Sequence, residues 1–358
     1  LIFVFTYMNK RILVAPLNWG LGHATRCIPI IEALIQQQFT PVIASDGYAL
    51  ELLRKEFPGL DSFELPSYHI RYAKNKHLFK LKLLQRAPKL LNAIKAEKKI
   101  VKQLIETENI HGIVSDNRLG VYNKLVPCVF ITHQLQVLSG TTTWISTKLH
   151  LKAMKQFNEC WVPDYHGTPN LSGKLGHMDT NQIPIKYIGP ISRFVKKECP
   201  IEYEVMVLLS GPEPQRTLLE KKLLNMFKLF SGSVLFIKGI VEKHQKKEQI
   251  NNITVYNFMT SDLLETSLNQ SKLIISRSGY TTIMDLTKLR KQAFFIPTPG
   301  QFEQEYLAER LDRQGLAPYC NQEDFDLKEL ERVIDYKGLN DFGYELNYKK
   351  LFGLFKTE

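Results

Sequence analysis

The stretch KLIISRSGYTTIMDLTKLRKQAFFIPTPGQFEQEY, residues 272–306, decides the fold. A short apolar run at residues 273–275 meets the polar turn 276–279, a helical segment follows at 280–289, and a second apolar run at 293–296 ends at prolines. This order predicts a strand, a turn, a helix and a second strand, the repeating unit of parallel α/β sheets. A helix that begins at such a turn presents unpaired N–H groups and the positive end of its dipole, so the turn is a candidate anion site.

The same alternation of strands and helices extends over the rest of the chain. Further strands are predicted at residues 11–15, 41–44, 62–65, 111–115, 126–132, 160–162, 186–188, 204–209, 233–237, 253–256 and 316–319. Further helices are predicted at residues 23–35, 48–56, 144–157, 217–230, 303–314 and 327–335. Residues 189–200 resemble a linker, so the pattern predicts two α/β domains of Rossmann-like type, residues 8–190 and 191–335, facing each other across a cleft. Residues 336–358 are expected to form a helical tail that could pack back on the first domain.

Composition limits the class of protein. A chain of 358 residues, 44% of them hydrophobic, is long enough for two domains with separate cores. Its five cysteines are widely spaced and lack the spacing of metal ligands, which indicates a reducing, cytoplasmic setting. Residues 1–7 are apolar but too short for a signal peptide or a membrane span, and Met8 is the expected natural start.

Positive charge predicts an acidic partner. The formal net charge is +11, and residues 71–102 carry eleven Lys or Arg against one acidic residue, Glu97. Leucines interleave with these charges, so two amphipathic helices that part near Pro88 are predicted. The basic face is either a solvated surface or a peripheral contact with an anionic membrane at its inner face or with an acidic substrate. No nucleic-acid-binding motif accompanies the charge, so nucleic acid is not an expected partner.

Titratable side chains follow several strands of the first half. The loop GLGH, residues 20–23, separates a strand from a helix and ends at His23, while Asp116 and His133 follow later strands. Because the carboxyl ends of parallel strands meet at one edge of a sheet, these side chains are expected to share a site. The residues predicted to line the acceptor side of that site are Gly20, Gly22, Asn117 and His133.

Three motifs together resemble glycosyltransferase family 28, the MurG-like UDP-sugar glycosyltransferases of the GT-B superfamily. They are the loop at residues 20–23, Ser210-Gly211 with Arg216, and residues 276–285 followed by Pro297 and Gln304. The resemblance implies the GT-B fold, with two facing Rossmann-like domains. It also implies transfer of N-acetylglucosamine or a similar hexose from a UDP-sugar to an acceptor hydroxyl.

The resemblance further implies how the donor is bound. The backbone amides of Ser278, Gly279 and Tyr280 would bind the diphosphate, Asp285 the ribose hydroxyls and Gln304 the donor sugar. Phe258 would border the uracil. From their charge, Arg277 and Arg216 are candidates to compensate the phosphates, and Arg216 could equally be a surface residue. The complete predicted donor-binding set is Ser210, Gly211, Arg216, Phe258, Arg277, Ser278, Gly279, Tyr280, Thr281, Asp285, Gln304 and Glu305.

Inverting sugar transfer requires a base for the acceptor hydroxyl and stabilisation of the departing diphosphate. His23 is the predicted base because its pKa is near neutral when unperturbed. Asp116, at a strand end on the same edge, is predicted to hold the histidine tautomer. No Asp-x-Asp motif suited to a divalent ion is expected in the cleft, so a metal-independent reaction is predicted, without a cofactor beyond the UDP-sugar substrate.

Two other functions remain open from the sequence. A UDP-sugar 2-epimerase shares this architecture, and Glu303, Glu305 and Asp116 could supply the carboxylates that its site needs. A non-catalytic nucleotide-sugar-binding or membrane-docking partner of another enzyme is the second alternative. The acceptor is not identified by any motif, and the basic segment in the acceptor half suggests a lipid-linked or anionic molecule.

Overall fold

The computed structural model describes residues 9–68, 79–138, 143–178, 183–211, 213–341 and 343–356. At residues 79–87 and 145 the description covers the backbone alone. The apolar residues 1–7 and the basic residues 71–78 therefore lie outside the described part of the chain. Among the described helices, none combines the length and the hydrophobicity needed to cross a bilayer.

The first domain is built on a parallel sheet. Its strands are β1 (Arg11–Pro16), β2 (Thr40–Ser45), β3 (Ser62–Glu64), β4 (Ile110–Asp116), β5 (Cys128–Ile131), β6 (Glu159–Val162) and β7 (Ile185–Tyr187). Its helices are α1 (Gly22–Gln36), α2 (Gly47–Glu56), α3 (Phe79–Thr107) and α4 (Thr143–Met154). The strand order is β3-β2-β1-β4-β5-β6-β7. The order reverses between β1 and β4, so the loops that leave these two strands flank a crevice at the carboxyl edge of the sheet.

Alternate residues of the buried strands face opposite sides of this sheet. In β1, Ile12 and Val14 belong to the core that packs under α1 and α2, whereas Leu13 and Ala15 belong to the core on the α3 and α4 side. All four side chains are buried. A continuous apolar strand of this kind, covered on both faces, is typical of parallel sheets.

The second domain repeats the plan. Its strands are β8 (Tyr203–Leu208), β9 (Val234–Ile237), β10 (Lys247–Ile250), β11 (Ile253–Tyr256), β12 (Ser271–Ser276) and β13 (Gln292–Phe295). Its helices are α5 (Gln215–Phe227), α6 (Ser261–Asn269), α7 (Tyr280–Leu289) and α8 (Phe302–Arg313), and a 3₁₀ segment covers Leu327–Asp335. The strand order is β10-β11-β9-β8-β12-β13, and only the edge pair β10–β11 is antiparallel. This order reverses between β8 and β12, which places a second crevice beside the loops after those strands.

The predicted α/β fold class is confirmed, and three local predictions are wrong. Helix α3 continues through Pro88 instead of breaking there, although an internal proline removes one hydrogen bond and clashes with the preceding turn. Residues 316–319 form a single bridge between Tyr319 and Phe295 rather than a strand, since Pro318 has no N–H to donate to a ladder. Strand β10 and helix α6 were not predicted at all: β10 is short and polar, and α6 is only nine residues long although Leu264 and Leu268 give it a buried face.

Residues after the second domain complete the core of the first. Helix α9 (Tyr348–Leu351) is followed by a 3₁₀ turn, Phe352–Phe355. The rings of Phe352 and Phe355 are fully buried against Phe39 and Trp161, with ring centroids 6.0 to 6.4 Å apart. The chain thus crosses from the second domain back to the first.

Side chains of α7 join the two domains directly. The hydroxyl of Thr281 donates to the carbonyl of Gly22 at 3.0 Å, and the buried hydroxyl of Tyr280 donates to the carbonyl of Pro163 at 2.9 Å. Both acceptors belong to the first domain. Hydrogen bonds buried at an interface fix the relative position of the parts because an unpaired partner is costly.

Tyr280→Phe is expected to lower the free energy of unfolding by about 1 kcal/mol, since it removes a buried hydroxyl and leaves the carbonyl of Pro163 without its donor. Urea unfolding followed by fluorescence measures the change. Tyr48, whose side chain is exposed, provides the matched control Tyr48→Phe, which should have no effect. Equal stability of both variants would contradict the prediction.

Candidate active site

The two crevices open into one cavity between the domains. The predicted residues that line it are Gly20, Gly22, His23, Asn117, His133, Ser210, Gly211, Phe258, Gly279, Tyr280, Thr281, Asp285 and Gln304. Both halves of the chain therefore contribute, and their contributions come from the loops that follow β1, β4, β5, β8 and β12. The loops after β1, β4, β8 and β12 lie at the points where the strand order reverses.

The glycine loop after β1 allows the domains to approach closely. Gly20 has a φ of +74°, which a side chain would strain, and a Cβ at Gly22 would lie 3.1 Å from the hydroxyl of Thr281. Gly20 also faces Gly211 of the second domain, where a Cβ would lie 3.9 Å from the Gly211 Cα. Small residues are thus required on this side of the cavity for steric reasons.

His23 and Asp116 form the predicted pair. Nδ1 of His23 lies 2.8 Å from Oδ1 of Asp116, and both side chains are buried. Helix α1 begins at Gly22 and presents His23 in its first turn, while Asp116 is the last residue of β4. An ionised carboxylate accepts a hydrogen bond from Nδ1–H, which leaves Nε2 as the basic nitrogen of the ring.

Arg26 is the third member of this cluster and was not predicted from the sequence. Its Nε and Nη2 atoms donate to the two carboxylate oxygens of Asp116 in a bidentate arrangement. Arg26 stands three residues after His23 on α1, so both side chains lie on one helix face. That spacing was the available signal, because an arginine on an otherwise apolar helix face requires a buried partner.

Burial and charge set the protonation of the pair. Burial alone would raise the pKa of Asp116, but Arg26 and His23 outweigh it and hold that pKa well below its usual range. Burial lowers the pKa of His23, Asp116 opposes this shift, and Arg26 adds to it. At neutral pH the pair is therefore an ionised carboxylate beside a neutral imidazole, which is the state that a general base requires.

A second histidine links the two domains. Nε2 of His133 lies 2.7 Å from Oε1 of Glu303, and the side-chain amide of Gln134 donates to the other oxygen of Glu303. The ring of His133 stacks on Tyr280 with the centroids 4.3 Å apart. Glu303 lies in the first turn of α8, so a carboxylate of the second domain is held by the first.

Helix α7 begins at the cavity. Gly279 is the N-cap residue of α7, and no side chain caps the N–H groups of its first turn. Gly279, Tyr280 and Thr281 line the cavity. Ser278 lies behind them, and its hydroxyl donates to the backbone carbonyl of Gln304 at 2.8 Å. The side-chain oxygen of Gln304 in turn accepts from the amide of Thr298 at 2.8 Å. These bonds orient Gln304 beside a helix N-terminus suited to an anion.

Asp285 and Arg193 form a charged wall of the cavity. The carboxylate of Asp285 accepts a hydrogen bond from the hydroxyl of Ser192 at 2.7 Å, and burial raises its pKa to about 6 against the opposing effects of Arg193 and Ser192. Arg193, in the linker between the domains, was not predicted. Within the described residues, its buried Nε and Nη1 atoms have no hydrogen-bond partner, although Nη1 forms an ion pair with Oε1 of Glu56 at 3.9 Å. A buried guanidinium with unused donors next to a cavity is a candidate anion ligand.

Three predicted donor residues are placed differently by the structure. The guanidinium of Arg277 is buried and donates to the carbonyls of Ile296, Pro297 and Gln215 and to the side chain of Gln322, so it is not available to phosphate. Arg216 donates to the carboxylates of Glu213 and Glu220, to the hydroxyl of Thr217 and to the carbonyl of Lys238. Glu305 accepts from the amide of Gly300 at 2.8 Å and does not line the cavity. Each of these side chains has a structural partner that satisfies its charge or its hydrogen bonds.

Asp285 is expected to make stability depend on pH. Its pKa of about 6 exceeds the ordinary value of 3.8, so between these pH values the folded chain holds a proton that the unfolded chain has lost. This contribution is present at low pH and is lost as the pH rises through the window, by up to about 1.4 kcal/mol per unit. The unfolding midpoint of Asp285→Asn should exceed that of the wild type by a margin that widens across the window. A constant margin would contradict this prediction.

Comparison with known proteins agrees with this geometry. Residues 215–341 match the glycosyltransferase family 28 C-terminal domain. The chain is 22% identical over 344 residues to the uncharacterized glycosyltransferase MK0977 of Methanopyrus kandleri, with 89% of this chain and 93% of the relative covered. It is 25% identical over 272 residues to the UDP-N-acetylglucosamine--N-acetylmuramyl-(pentapeptide) pyrophosphoryl-undecaprenol N-acetylglucosamine transferase of Buchnera aphidicola subsp. Schizaphis graminum, with 74% and 70% covered.

A solved structure supports the fold. The spinosyn rhamnosyltransferase SpnG superposes with a TM-score of 0.57 at 15% identity, and the match covers 91% of this chain and 92% of that chain. Its two-domain architecture agrees with the two sheets and the cavity between them. Residues 215–341 thus match the glycosyltransferase family 28 C-terminal domain, and the chain is a glycosyltransferase of two Rossmann-like domains that is similar to MurG-type enzymes.

Proposed function

We propose that this glycosyltransferase moves N-acetylglucosamine or a similar hexose from a UDP-sugar to a hydroxyl group of its acceptor, with inversion at the anomeric carbon. The observation that carries the proposal is the cavity in which His23, bonded to Asp116, lies opposite the N-terminus of α7 and Asp285. A base on one side and an anion site on the other are the two elements that a direct displacement needs. The name of the Buchnera relative, a UDP-N-acetylglucosamine transferase, supports this donor class.

The first domain performs the proton transfer in this proposal. Nε2 of His23 takes the proton of the acceptor hydroxyl as its oxygen forms a bond to the anomeric carbon. The bond from that carbon to the diphosphate oxygen breaks in the same step, and UDP leaves with the bonding electron pair. Asp116 stabilises the imidazolium that results, as in other His–Asp pairs.

The second domain holds the donor. The N–H groups at the start of α7, from Gly279 to Thr281, receive the diphosphate, and the unused donors of Arg193 compensate its charge. Asp285 accepts hydrogen bonds from the ribose hydroxyls, and Gln304 contacts the sugar. Because these fixed donors stabilise the departing UDP, the proposed reaction needs neither a metal ion nor another cofactor.

We further propose a lipid-linked or anionic acceptor. Within the described part of α3, Lys89, Lys95, Lys98, Lys99 and Lys102 are exposed. On α4 the exposed residues are Trp144, Lys148, Leu149 and Lys152, and Lys155 directly after α4 is also exposed. Both helices belong to the first domain. Lysines and exposed apolar side chains are the residues by which peripheral proteins contact anionic lipid surfaces. We therefore propose that the first domain, which also carries His23, contacts an acceptor at the inner membrane face.

A thermal-shift panel of nucleotide sugars tests the donor assignment. A ligand that binds only the native state raises its stability by about 2.7 kcal/mol at 100 times Kd, which is enough to rank donors. We expect UDP and UDP-N-acetylglucosamine to stabilise the chain more than GDP- or dTDP-sugars. Stabilisation by another nucleotide in preference to UDP would contradict the assignment.

A turnover assay separates transfer from its alternatives. UDP-N-acetylglucosamine without an acceptor should give at most slow hydrolysis, and a lipid extract containing the acceptor should give rapid UDP release with a glycosylated product. Formation of the 2-epimer of the donor sugar would instead identify an epimerase. Tight UDP binding without any turnover on the complete extract would favour a non-catalytic partner.

A further inference from the structure

Arg26 lies in the cavity wall and approaches three titratable side chains of the first domain. Besides its two hydrogen bonds to the carboxylate of Asp116, Nη1 of Arg26 lies 3.0 Å from Nδ1 of His133 and Nη2 of Arg26 lies 2.8 Å from Nδ1 of His23. The side chain is buried at 2% exposure. One guanidinium therefore touches every titratable member of the cluster in the first domain except Cys27.

Hydrogen-bond chemistry determines which nitrogen of His133 carries the proton. A guanidinium has five donors and no acceptor, so Nδ1 of His133 must accept from Arg26. The proton of the neutral ring then resides on Nε2, which donates to Oε1 of Glu303 at 2.7 Å. The tautomer of His133 is thus determined by Arg26, and the position of Glu303 depends on that tautomer.

The same reasoning explains the short approach of Arg26 to His23. Oδ1 of Asp116 accepts from Nη2 of Arg26 and from Nδ1 of His23, so the two nitrogens are donors that share one acceptor oxygen. The positive charge of Arg26 is adjacent to the imidazole and disfavours its protonation. The groups that surround His23 are Arg26 and Cys27 on α1, Asp116 after β4, His133 after β5, Tyr280 on α7 and Glu303 on α8.

The charges of this cluster balance only after proton transfer. Arg26 carries one positive charge, and Asp116 and Glu303 carry two negative charges, since each carboxylate accepts hydrogen bonds on both of its oxygens. With both histidines neutral, the buried cluster has one excess negative charge. A proton taken from the acceptor hydroxyl by His23 makes the cluster neutral, so Asp116 offsets part of the cost that burial and Arg26 impose on the charged imidazole.

We infer that Arg26 is a positioning residue that holds Asp116 in place against His23, keeps His23 unprotonated before the reaction, and joins this pair to Glu303 of the donor domain through His133. The inference rests on the proposed function for its catalytic consequence. Its structural content, one fixed tautomer of His133 and an imidazole at His23 that resists protonation, exists whether or not the donor has been correctly assigned.

Nitrogen NMR of histidine tests the structural content without any substrate. In protein labelled with ¹⁵N-histidine, two-bond nitrogen–proton correlations distinguish the two neutral tautomers and the imidazolium. His133→Gln and His23→Gln variants assign their signals among the nine histidines. We expect His133 to be protonated on Nε2 alone in the wild type, and to show a mixture of tautomers in Arg26→Gln. On lowering the pH, the signal of the His23 imidazolium should appear at a higher pH in Arg26→Gln than in the wild type.

Kinetics tests the catalytic consequence. In Arg26→Gln the turnover number should fall by roughly 10- to 100-fold, which is part of the roughly 10²- to 10⁴-fold acceleration that a positioned base supplies. In the plot of turnover number against pH, the low-pH limb should move to higher pH. Arg26→Lys retains the charge but lacks the planar fork, so it should restore the position of that limb while the tautomers of His133 stay mixed.

Arg118 provides a matched control for loss of a buried arginine. It lies in the same domain, donates to the carboxylates of Glu97 and Asp46 at 2.7 and 2.8 Å, and does not line the cavity. Arg118→Gln should lower stability without moving the pH limb of the remaining activity or the signals of His23 and His133. A shift of these signals in Arg118→Gln equal to that in Arg26→Gln would mean that general destabilisation is the cause, and would overturn the inference.

Two further outcomes are decisive. Unchanged tautomer signals and an unchanged protonation pH of His23 in Arg26→Gln would overturn the inference, whatever the kinetics. If the wild type transferred no sugar from any UDP donor, the proposed function would fail, and the NMR result alone would decide the role of Arg26.

Discussion

Replacing His23 by alanine is expected to lower the turnover number of sugar transfer by roughly 10²- to 10⁴-fold, the contribution of a positioned general base. His23 lines the cavity, its Nδ1 is bonded to Asp116 at 2.8 Å, and its burial keeps the ring neutral. Without it, the acceptor hydroxyl must lose its proton to water. Affinity for UDP should stay at the wild-type level, because the donor is held by the other domain.

The measurement is the initial rate of UDP release with saturating donor, together with UDP affinity by calorimetry. His166, exposed and outside the cavity, provides the control variant His166→Ala, which should retain full activity. Full turnover by His23→Ala with the natural acceptor would remove His23 from the mechanism. A parallel loss of UDP affinity would indicate that the substitution has disturbed the cavity instead.

Replacing Arg193 by methionine is expected to weaken UDP binding by roughly 100-fold, which corresponds to about 2.7 kcal/mol. The loss is of this size because a buried cation with unused donors pairs with the diphosphate, and truncating one partner of a desolvated charge pair costs about 2–5 kcal/mol. Methionine retains most of the side-chain volume, so the packing of Arg193 on the ring of Phe194 is largely kept.

Arg216 provides the matched control for Arg193→Met. It is a buried arginine of the second domain, but the carboxylates of Glu213 and Glu220 already pair with it. Arg216→Met should therefore bind UDP as the wild type does, and calorimetric titration of both variants with UDP compares them directly. Wild-type affinity in Arg193→Met, or an equal loss in both variants, would show that the diphosphate charge is compensated elsewhere.

Local sequence signals predicted the central elements of the fold. Helix α7 was predicted with its observed bounds because a glycine precedes it, an apolar period runs through it and a break follows it. The buried strands were likewise recognisable, since continuous apolar runs have few alternatives in an α/β pattern. Strand β10 is different: its sequence KEQI is mostly exposed, and only pairing with β11 makes it a strand. Such tertiary pairing leaves no signal in the residues themselves.

The site residues that belong to a recognisable sequence motif were predictable. The loop at residues 20–23 and the turn before α7 identified His23 and the candidate anion site. Arg277 was misassigned because an arginine beside a phosphate-type turn has the right charge, and only the structure shows that its donors are used by carbonyls. Arg193 had the opposite problem, since it lies in a linker where no pattern distinguishes a surface arginine from a buried one.

The return of the chain to the first domain affects how the protein is made. The core under α1 contains Leu351, Phe352 and Phe355, so this core lacks three buried side chains until the ribosome has passed the whole second domain. At about 5–20 residues per second, synthesis of that stretch takes on the order of ten to thirty seconds. The first domain to emerge is therefore the last to be completed, and its unfinished apolar face must stay protected by chaperones or by loose packing during that interval.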